Sequence, residues 1–205
     1  MRKRALVWVF GLSLLILIIA LSFVVVPILT HQNQGVAGQV RAHLGDTAVT
    51  AKGDDGRERT LALAGVDDDS FDPANLVPGQ TVTVRGAGYD SARGIYVSFC
   101  KAPASPEQKP SPCLGEVPAS ADAAAAVQGE MLSSAWVSDD FVWRNFATHQ
   151  YSDAEAGTFT VKLVVPEAAI EGLDCRVEAC VLATRNDHTA GGDRVQDLVI
   201  PVVIH

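Results

Sequence analysis

The sequence predicts an all-β fold, an immunoglobulin-like antiparallel sandwich of about seven strands preceded by one membrane-spanning helix. Two observations predict it. Short runs rich in β-branched and aromatic residues recur at near-regular spacing, and glycine- and proline-containing turns separate them. Beyond residue 30, almost no segment repeats its apolar residues at the period of a helix.

A long apolar segment follows the basic start "MRKR". Residues 5–29 carry no charged side chain, and about 20 apolar residues suffice for a helix to cross a bilayer. A cleaved signal peptide has a shorter apolar stretch, of about 7 to 15 residues, before a small-residue site. We therefore predict an uncleaved anchor over residues 1–30, with a cleaved signal as the alternative. The basic start predicts a cytoplasmic N-terminus and an extracytoplasmic remainder, in a single-pass protein of the cell membrane.

The chain is acidic, with 16 Lys and Arg against 24 Asp and Glu and a net charge of −8. Three of the basic residues lie in the first four positions, so the remainder is more acidic still. Such a charge repels a phosphate backbone, and the basic residues form no patch along the sequence. The charge balance excludes nucleic acid as the expected partner.

Behind the anchor, the pattern divides into three parts. Residues 31–46 are small and polar and predict a tether. Residues 47–77 predict a hairpin around an Asp-Gly turn, followed by an acidic linker. Residues 78–205 contain the remaining strands, and an Ala-rich stretch at 121–127 predicts a helical turn. The predicted strands are "TVTVRGAGY" (81–89), "GIYVSFC" (94–100), "SSAWVS" (133–138), "GTFTVKLVVP" (157–166), "ACVLATR" (179–185) and "QDLVIPVVI" (196–204).

The chain has four cysteines, Cys100, Cys113, Cys175 and Cys180. Outside the cytoplasm, an even number of cysteines favours disulfides. Four cysteines allow three pairings, of which the local one is the simplest. Their spacings of thirteen and five do not match the repeated C-x-x-C of a zinc site, which leaves zinc as the weaker alternative.

The pattern resembles the neocarzinostatin-like apoproteins of actinobacteria. The resemblance covers roughly residues 78–204 and depends on "GAGY", the strand ending at Cys100, the return cysteine Cys113 and "DCRVEACVLATRND". It implies an immunoglobulin-like sandwich with two local disulfides. The chain is similar as well to domains of actinobacterial envelope proteins, some of them fused to haem-transport-associated domains.

The resemblance does not carry the chromophore site across, because the loop between Cys100 and Cys113 has no aromatic residue and the hairpin before Cys175 is shortened to "PEAAIEGLD". Aromatic residues cluster elsewhere, in and after the fourth strand. They pack onto the sandwich in one interpretation and line a ligand pocket or partner surface in the other. This candidate surface consists of Trp136, Phe141, Trp143, Arg144, Phe146, His149 and Tyr151.

The sequence has no G-x-S-x-G elbow and no P-loop, so it predicts no catalytic residue and no metal site. We predict a non-catalytic, membrane-anchored binding or envelope-interaction module, whose partner is a small apolar ligand or an envelope protein. The first alternative is an accessory protein for haem or another hydrophobic molecule, since His149 with Tyr151 or Tyr89 with Tyr96 have side chains that ligate haem iron. An undetected hydrolase is the other alternative. Asp187, His188 and Asp193 are a weaker cation hypothesis, against the ordinary polar turn that these residue types favour.

Overall fold

The computed structural model describes residues 2–66, 71–115 and 132–205, with side chains from Leu6 onward. It separates into two compact units, residues 1–32 and 33–205. The predicted helical turn at 121–127 and the residues 67–70 of the acidic linker lie outside the described residues. The elements are α1 (Arg2–Thr30), β1 (Ala48–Lys52), β2 (Glu58–Gly65), β3 (Thr81–Ala87), β4 (Ile95–Lys101), β5 (Cys113–Leu114), β6 (Ser134–Val137), β7 (Phe159–Val164), β8 (Ala169–Ile170), β9 (Leu173–Asp174), β10 (Cys180–Asn186) and β11 (Val199–Val202).

Helix α1 forms the first unit, as predicted. By length and composition, Leu6–Thr30 is apolar enough to cross a membrane, and its window of apolar side chains is unburied. The hydroxyl groups of Ser22 and Thr30 donate to the carbonyls of Ile18 and Val26, at 2.8 and 2.7 Å. Both polar side chains are therefore satisfied within the helix, as an apolar surrounding requires.

The first sheet of the second unit has the antiparallel order β1-β2-β3-β7. Side chains that alternate along each strand form its inner face. On this face Leu63 pairs with Val84 and Val84 with Val161, and all three residues are at most 1% exposed. The hairpin predicted ahead of the sandwich provides β1 and β2. The sequence-based division at residue 78 therefore falls between two paired strands of one sheet, because the inward leucines of β2 are buried against the same core.

The second sheet has the order β11-β10-β4, and both β5 and β6 pair with the far side of β4. Ile95, Val97 and Phe99 of β4 face the core and are fully buried. On the outer face, Ser98 and Cys100 are nonetheless only 3% and 0% exposed. This part of the outer face is therefore covered, whereas Tyr96 on the same face of β4 is only partly buried.

The two sheets and two disulfides confirm the predicted fold class. One large core lies between the sheets, and the strands alternate around it as predicted for β7, with Phe159, Val161 and Leu163 inward. Cys100 bonds to Cys113 and Cys175 to Cys180, the local pairing. The shortened hairpin before Cys175 is the two-stranded ribbon β8–β9.

Residues 33–39, predicted as a tether, lie on the sandwich. The backbone amide of Gln34 donates to Asp193 Oδ2 at 3.1 Å, and that of Val36 donates to Asp54 Oδ2 at 2.9 Å. Gly38 has φ of +67°, and a Cβ there would lie 2.2 Å from a backbone oxygen. The hydrogen-bond partners of this stretch are distant in sequence. Its composition therefore did not indicate that it would pack on the sandwich.

Candidate ligand-binding site

The outer face of the second sheet carries a row of three side chains across neighbouring strands. Tyr96 of β4 pairs with Trp136 of β6 on one side and with Arg185 of β10 on the other. The Tyr96 and Trp136 ring centroids are 5.9 Å apart, and the Arg185 guanidinium carbon lies 5.5 Å from the Tyr96 centroid. The cross-strand register therefore produces a continuous surface of two rings and one cation.

Trp136 is the fixed end of this row. It is 7% exposed, and its indole Nε1 donates to Asp187 Oδ2 at 3.0 Å. Asp187 also accepts bonds from the amide and hydroxyl of Thr189, at 2.9 and 2.6 Å. A Cβ at Gly94 would lie 2.0 Å from the same carboxylate oxygen, so this close approach requires glycine. The indole plane is therefore locked by a buried acceptor.

Trp143 extends the surface from the loop after β6. Its ring lies edge-on to His188, with centroids 4.6 Å apart, and 6.2 Å from Trp136. Asp140 builds the turn that presents it, because its Oδ1 accepts from the backbone amides of Val142 and Trp143, at 2.8 and 3.2 Å. Trp143 is only partly buried, so this residue remains partly accessible to solvent.

Two exposed phenylalanines belong to the same loop as Trp143. Phe146 contacts the Trp143 ring at 6.4 Å between centroids and is 58% exposed. Phe141 is 80% exposed, and the Arg144 guanidinium lies 5.4 Å from its centroid. Large apolar side chains that are this exposed next to half-buried aromatic rings are typical of recognition surfaces.

His188 joins the row from the loop after β10. Its Nδ1 lies 3.0 Å from the Tyr96 hydroxyl, and its ring centroid lies 5.3 Å from that of Trp136. Burial raises the pKa of Tyr96 to about 12, and the Asp187 carboxylate adds to the increase. Tyr96 is therefore a neutral hydroxyl at physiological pH and is available for hydrogen bonding.

The side chains of the other two predicted surface residues pack outside the aromatic row, although the backbone amide of His149 donates to the Trp136 carbonyl at 2.9 Å. Tyr151 is 7% exposed and packs on Phe159 in the core, with its hydroxyl donating to the Arg93 carbonyl at 3.1 Å. Burial raises its pKa. His149 is half-buried beside Thr148, whose hydroxyl is 3.0 Å from His149 Nδ1, and burial lowers its pKa. The structure thus brings the rings of Trp136, Trp143 and Phe146 together, pairs Arg144 with Phe141, and places the Tyr151 ring on Phe159 instead.

Sequence reasoning did not place Tyr96, Arg185 and His188 in the same surface. The sequence suggests Tyr96 only as a haem ligand and His188 only as part of a cation site with Asp187 and Asp193. In the structure, Asp193 accepts backbone amides while Asp187 and His188 bond to Trp136 and Tyr96. The described residues contain no group of three or more metal-ligating side chains. The alternation of side chains along β4 places Tyr96 on the same face as Cys100. This alternation was the sequence feature from which the position of Tyr96 on the outer face could have been predicted.

The fold and this surface define a disulfide-stapled immunoglobulin-like sandwich with an aromatic outer face. Residues 70–197 match the model of the Neocarzinostatin family, and the chain belongs to that family. This shows the resemblance that the sequence predicted.

Two individual proteins are similar to this chain. "Thiamine biosynthesis protein X" from Corynebacterium glutamicum is 35% identical over 119 residues, which are 58% of this chain and 54% of that protein. The chain thus spans about half the length of this relative. Among solved structures, macromomycin is 18% identical, with a TM-score of 0.36, over 71% of this chain and 99% of its own.

Proposed function

We propose that this protein is a non-catalytic binding domain, held outside the cytoplasm by α1, that takes up a flat apolar molecule bearing an acidic group. Members of its family bind small molecules. The apolar helix and the oxidised cysteines support a membrane-anchored or secreted location. The basic start of the chain supports an anchor with a cytoplasmic N-terminus and an extracytoplasmic sandwich.

The observation that carries the proposal is the ring row itself. The hydrogen bond from the Trp136 indole to Asp187 fixes the Trp136 ring. Trp143 next to it is partly exposed, and Phe146 is largely exposed. A preorganised aromatic surface binds a flat apolar molecule at little cost in side-chain entropy. Arg185 and Arg144, each stacked over a ring, provide cations at the border of the surface, where a carboxylate of the ligand finds a partner.

The second candidate function is that of a haem accessory protein. It is favoured by one specific contact, the 3.0 Å pairing of the Tyr96 hydroxyl with His188 Nδ1 next to Trp136 and Trp143. Tyrosine ligates haem iron in known proteins, and a histidine partner accepts the proton that the phenol must lose. The raised pKa of Tyr96 opposes this step in the free protein. We therefore favour a ligand that forms no bond from a metal to Tyr96 over haem as the molecule bound by this surface.

Equilibrium titrations of the full chain in phosphatidylcholine nanodiscs test the proposal, with empty nanodiscs as reference. We expect saturable binding of 2-naphthoate and about tenfold weaker binding of naphthalene-2-carboxamide, because the carboxamide has no charge to pair with an arginine. Trp143→Ala should abolish binding. Val177→Ala, which shortens an exposed apolar side chain in the Cys175–Cys180 loop, should not change it.

Haemin and thiamine complete the titration. A Soret band of ligated haem that disappears in Tyr96→Phe would promote the haem function over the proposed one. Thiamine is included because the name of the Corynebacterium glutamicum relative refers to its biosynthesis. Binding of thiamine alone, or equal binding of both naphthalene compounds, would contradict the proposal. A surface that binds none of these compounds would instead favour the envelope-protein partner.

A further inference from the structure

Arg185 is the cation at one end of the aromatic row. Its guanidinium carbon lies 5.5 Å from the Tyr96 centroid, and its Nη1 lies 3.5 Å from the Pro110 carbonyl oxygen. Arg185 is partly buried, and it forms no ion pair in the part of the chain that the structure describes. A cation that is partly removed from water without a carboxylate partner gains from an incoming anion. A ligand lying on Tyr96 and Trp136 would therefore meet Arg185 with its acidic end.

Lys109 brings a second positive charge to the same end of the row. It directly precedes Pro110, whose carbonyl contacts Arg185, and it lies in the exposed part of the proline-rich loop after β4. Partial desolvation of the ammonium group, and then the charges of Arg185 and Arg194, lower the pKa of Lys109. The two cations are therefore close enough to repel each other.

The carboxylates near these two cations are buried and already bonded. Asp197, whose charge acts on both Arg185 and Lys109, has a side chain that is 6% exposed. It is bonded to Arg194 at 2.6 Å. Asp193 acts on the same cluster, but it is 1% exposed and accepts backbone amides. The accessible charges at this end of the row are thus positive, which favours an anion between them.

The number of cations indicates the kind of acidic group. A carboxylate carries one charge and pairs in a plane with a single guanidinium group. A phosphomonoester carries about 1.5 to 2 negative charges at pH 7 and has three acceptor oxygens. It can therefore accept from the Arg185 guanidinium and from the Lys109 ammonium at the same time. Two cations that come from different elements, β10 and the loop after β4, match such a group better than they match a carboxylate.

We propose that the acidic group of the ligand is the phosphoryl group of an aromatic phosphomonoester, held between Arg185 and Lys109 while its ring lies on Tyr96 and Trp136. This inference rests on the proposed function, because it requires a flat ligand on the aromatic row. It adds the chemical class of the acidic group, and it assigns Lys109 as the residue that selects this class.

The test compares 2-naphthyl phosphate with 2-naphthyl sulfate at about pH 8. The two esters share the ring and a tetrahedral acidic group, but they carry about two negative charges and one. Binding to the full chain in phosphatidylcholine nanodiscs is measured by calorimetry. In a water-like medium, a cation about 6 Å away changes the affinity about threefold for each unit of ligand charge. With two cations, the phosphate should bind about tenfold more tightly than the sulfate.

Variants of Lys109 test its role in this preference. Lys109→Gln should reduce the preference for the phosphate to about threefold, and Lys109→Arg, which keeps the charge, should restore it. Lys52→Gln is the matched control, because it removes one positive charge from an exposed position on β1, in the other sheet. It should leave the preference at about tenfold. Inorganic phosphate, which has the charge without the ring, should not displace 2-naphthyl phosphate at about tenfold excess.

The outcomes separate this inference from the proposed function. Equal affinity for the two esters, or a preference that Lys109→Gln leaves intact, would overturn the inference, whereas saturable binding of 2-naphthoate in the same experiment would still support the proposed function. Displacement by an equal concentration of inorganic phosphate would also overturn the inference, because the anion would then bind without the rings. No binding of any naphthalene compound would overturn both. Lys109 is exposed, so its variants should keep the melting temperature of the wild type.

Discussion

The side-chain amide of Gln39 exchanges two hydrogen bonds with the backbone of Val199, each 2.8 Å long. Its Nε2 donates to the Val199 carbonyl, and its Oε1 accepts from the Val199 amide. Gln39 therefore replaces a neighbouring strand at the edge of β11, where unpaired backbone groups would otherwise invite pairing with another chain. The N-terminal segment therefore covers this edge of the second sheet.

Gln39→Ala should release that edge. We expect the Val199 amide to exchange its hydrogen about tenfold faster, because the loss of one hydrogen bond reduces local opening free energy by about 1 to 1.5 kcal/mol. Residue-resolved hydrogen exchange measures the effect. Gln150→Ala, at an exposed position, is the control and should leave Val199 unchanged. Identical exchange in both variants would contradict the capping role.

Gly86→Ala should destabilise the core. A Cβ at this position of β3 would lie 2.1 Å from Cε1 of Phe159, which itself packs edge-on against Tyr89. We expect a loss of about 1 to 3 kcal/mol in the free energy of unfolding, as for other overpacked cores. Gly192→Ala, where nothing lies within 4 Å and φ is not positive, should change stability by less than about 0.5 kcal/mol. Similar urea midpoints for the two variants would show that Phe159 can move aside.

Because of Asp197, we predict that the free energy of unfolding decreases as the pH rises from about 4 to 7. Burial raises the pKa of its carboxyl from 3.8 to about 7, while Arg194 and the Asn186 amide act in the opposite direction. The folded state therefore binds more protons than the unfolded state in this window, and its stability decreases as pH rises. Asp193 and Arg185 also act on this carboxyl, the former raising and the latter lowering its pKa.

Urea unfolding from pH 5 to 8 measures this dependence as the difference between wild type and Asp197→Asn, which cancels the titration of other groups such as His149. The free energy of unfolding of the wild type should decrease relative to the variant across the window. Asp174→Asn is the control, since the Arg176 side chain lowers the pKa of Asp174 to about 2 and keeps it charged throughout. A difference that is constant with pH would show that Asp197 has an ordinary pKa.

The two disulfides should contribute unequally. They close loops of thirteen and five residues, and the chain-entropy account predicts that the longer loop stabilises by about 1 kcal/mol more, from a total of about 2 to 3 kcal/mol each. The double variants Cys100→Ala with Cys113→Ala, and Cys175→Ala with Cys180→Ala, measure this by urea unfolding. A larger loss from the second pair would contradict the entropic explanation.

The sequence predicted those features of the fold that are local. Alternation in β7 identified Phe159, Val161 and Leu163 as inward, because the period of a strand is visible in six residues. The same reasoning failed for residues 33–39, whose hydrogen-bond partners lie 18 positions away, as for Val36 and Asp54, or 160 positions away, as for Gln39 and Val199. Local composition contains no information about such distant partners.

The candidate surface shows the same limit. The aromatic residues after β6 were visible in the sequence, but the row of Trp136, Tyr96 and Arg185 depends on the register of three strands, which only the folded sheets define. Tyr151 was grouped with them by proximity in sequence. It lies in the core because the chain returns to β7 at that point, next to Phe159.

The most direct test of the aromatic surface uses the three tryptophans of the chain, Trp8, Trp136 and Trp143. Their indole N–H signals are observed by NMR in the ¹⁵N-labelled full chain in nanodiscs during titration with 2-naphthoate. A saturable shift of the Trp143 signal, a smaller one of Trp136, whose N–H is bound to Asp187, and none of Trp8 is the predicted result. Unchanged Trp143 and Trp136 signals, or a Trp8 signal that shifts in parallel with them, would contradict a ligand surface on the outer sheet.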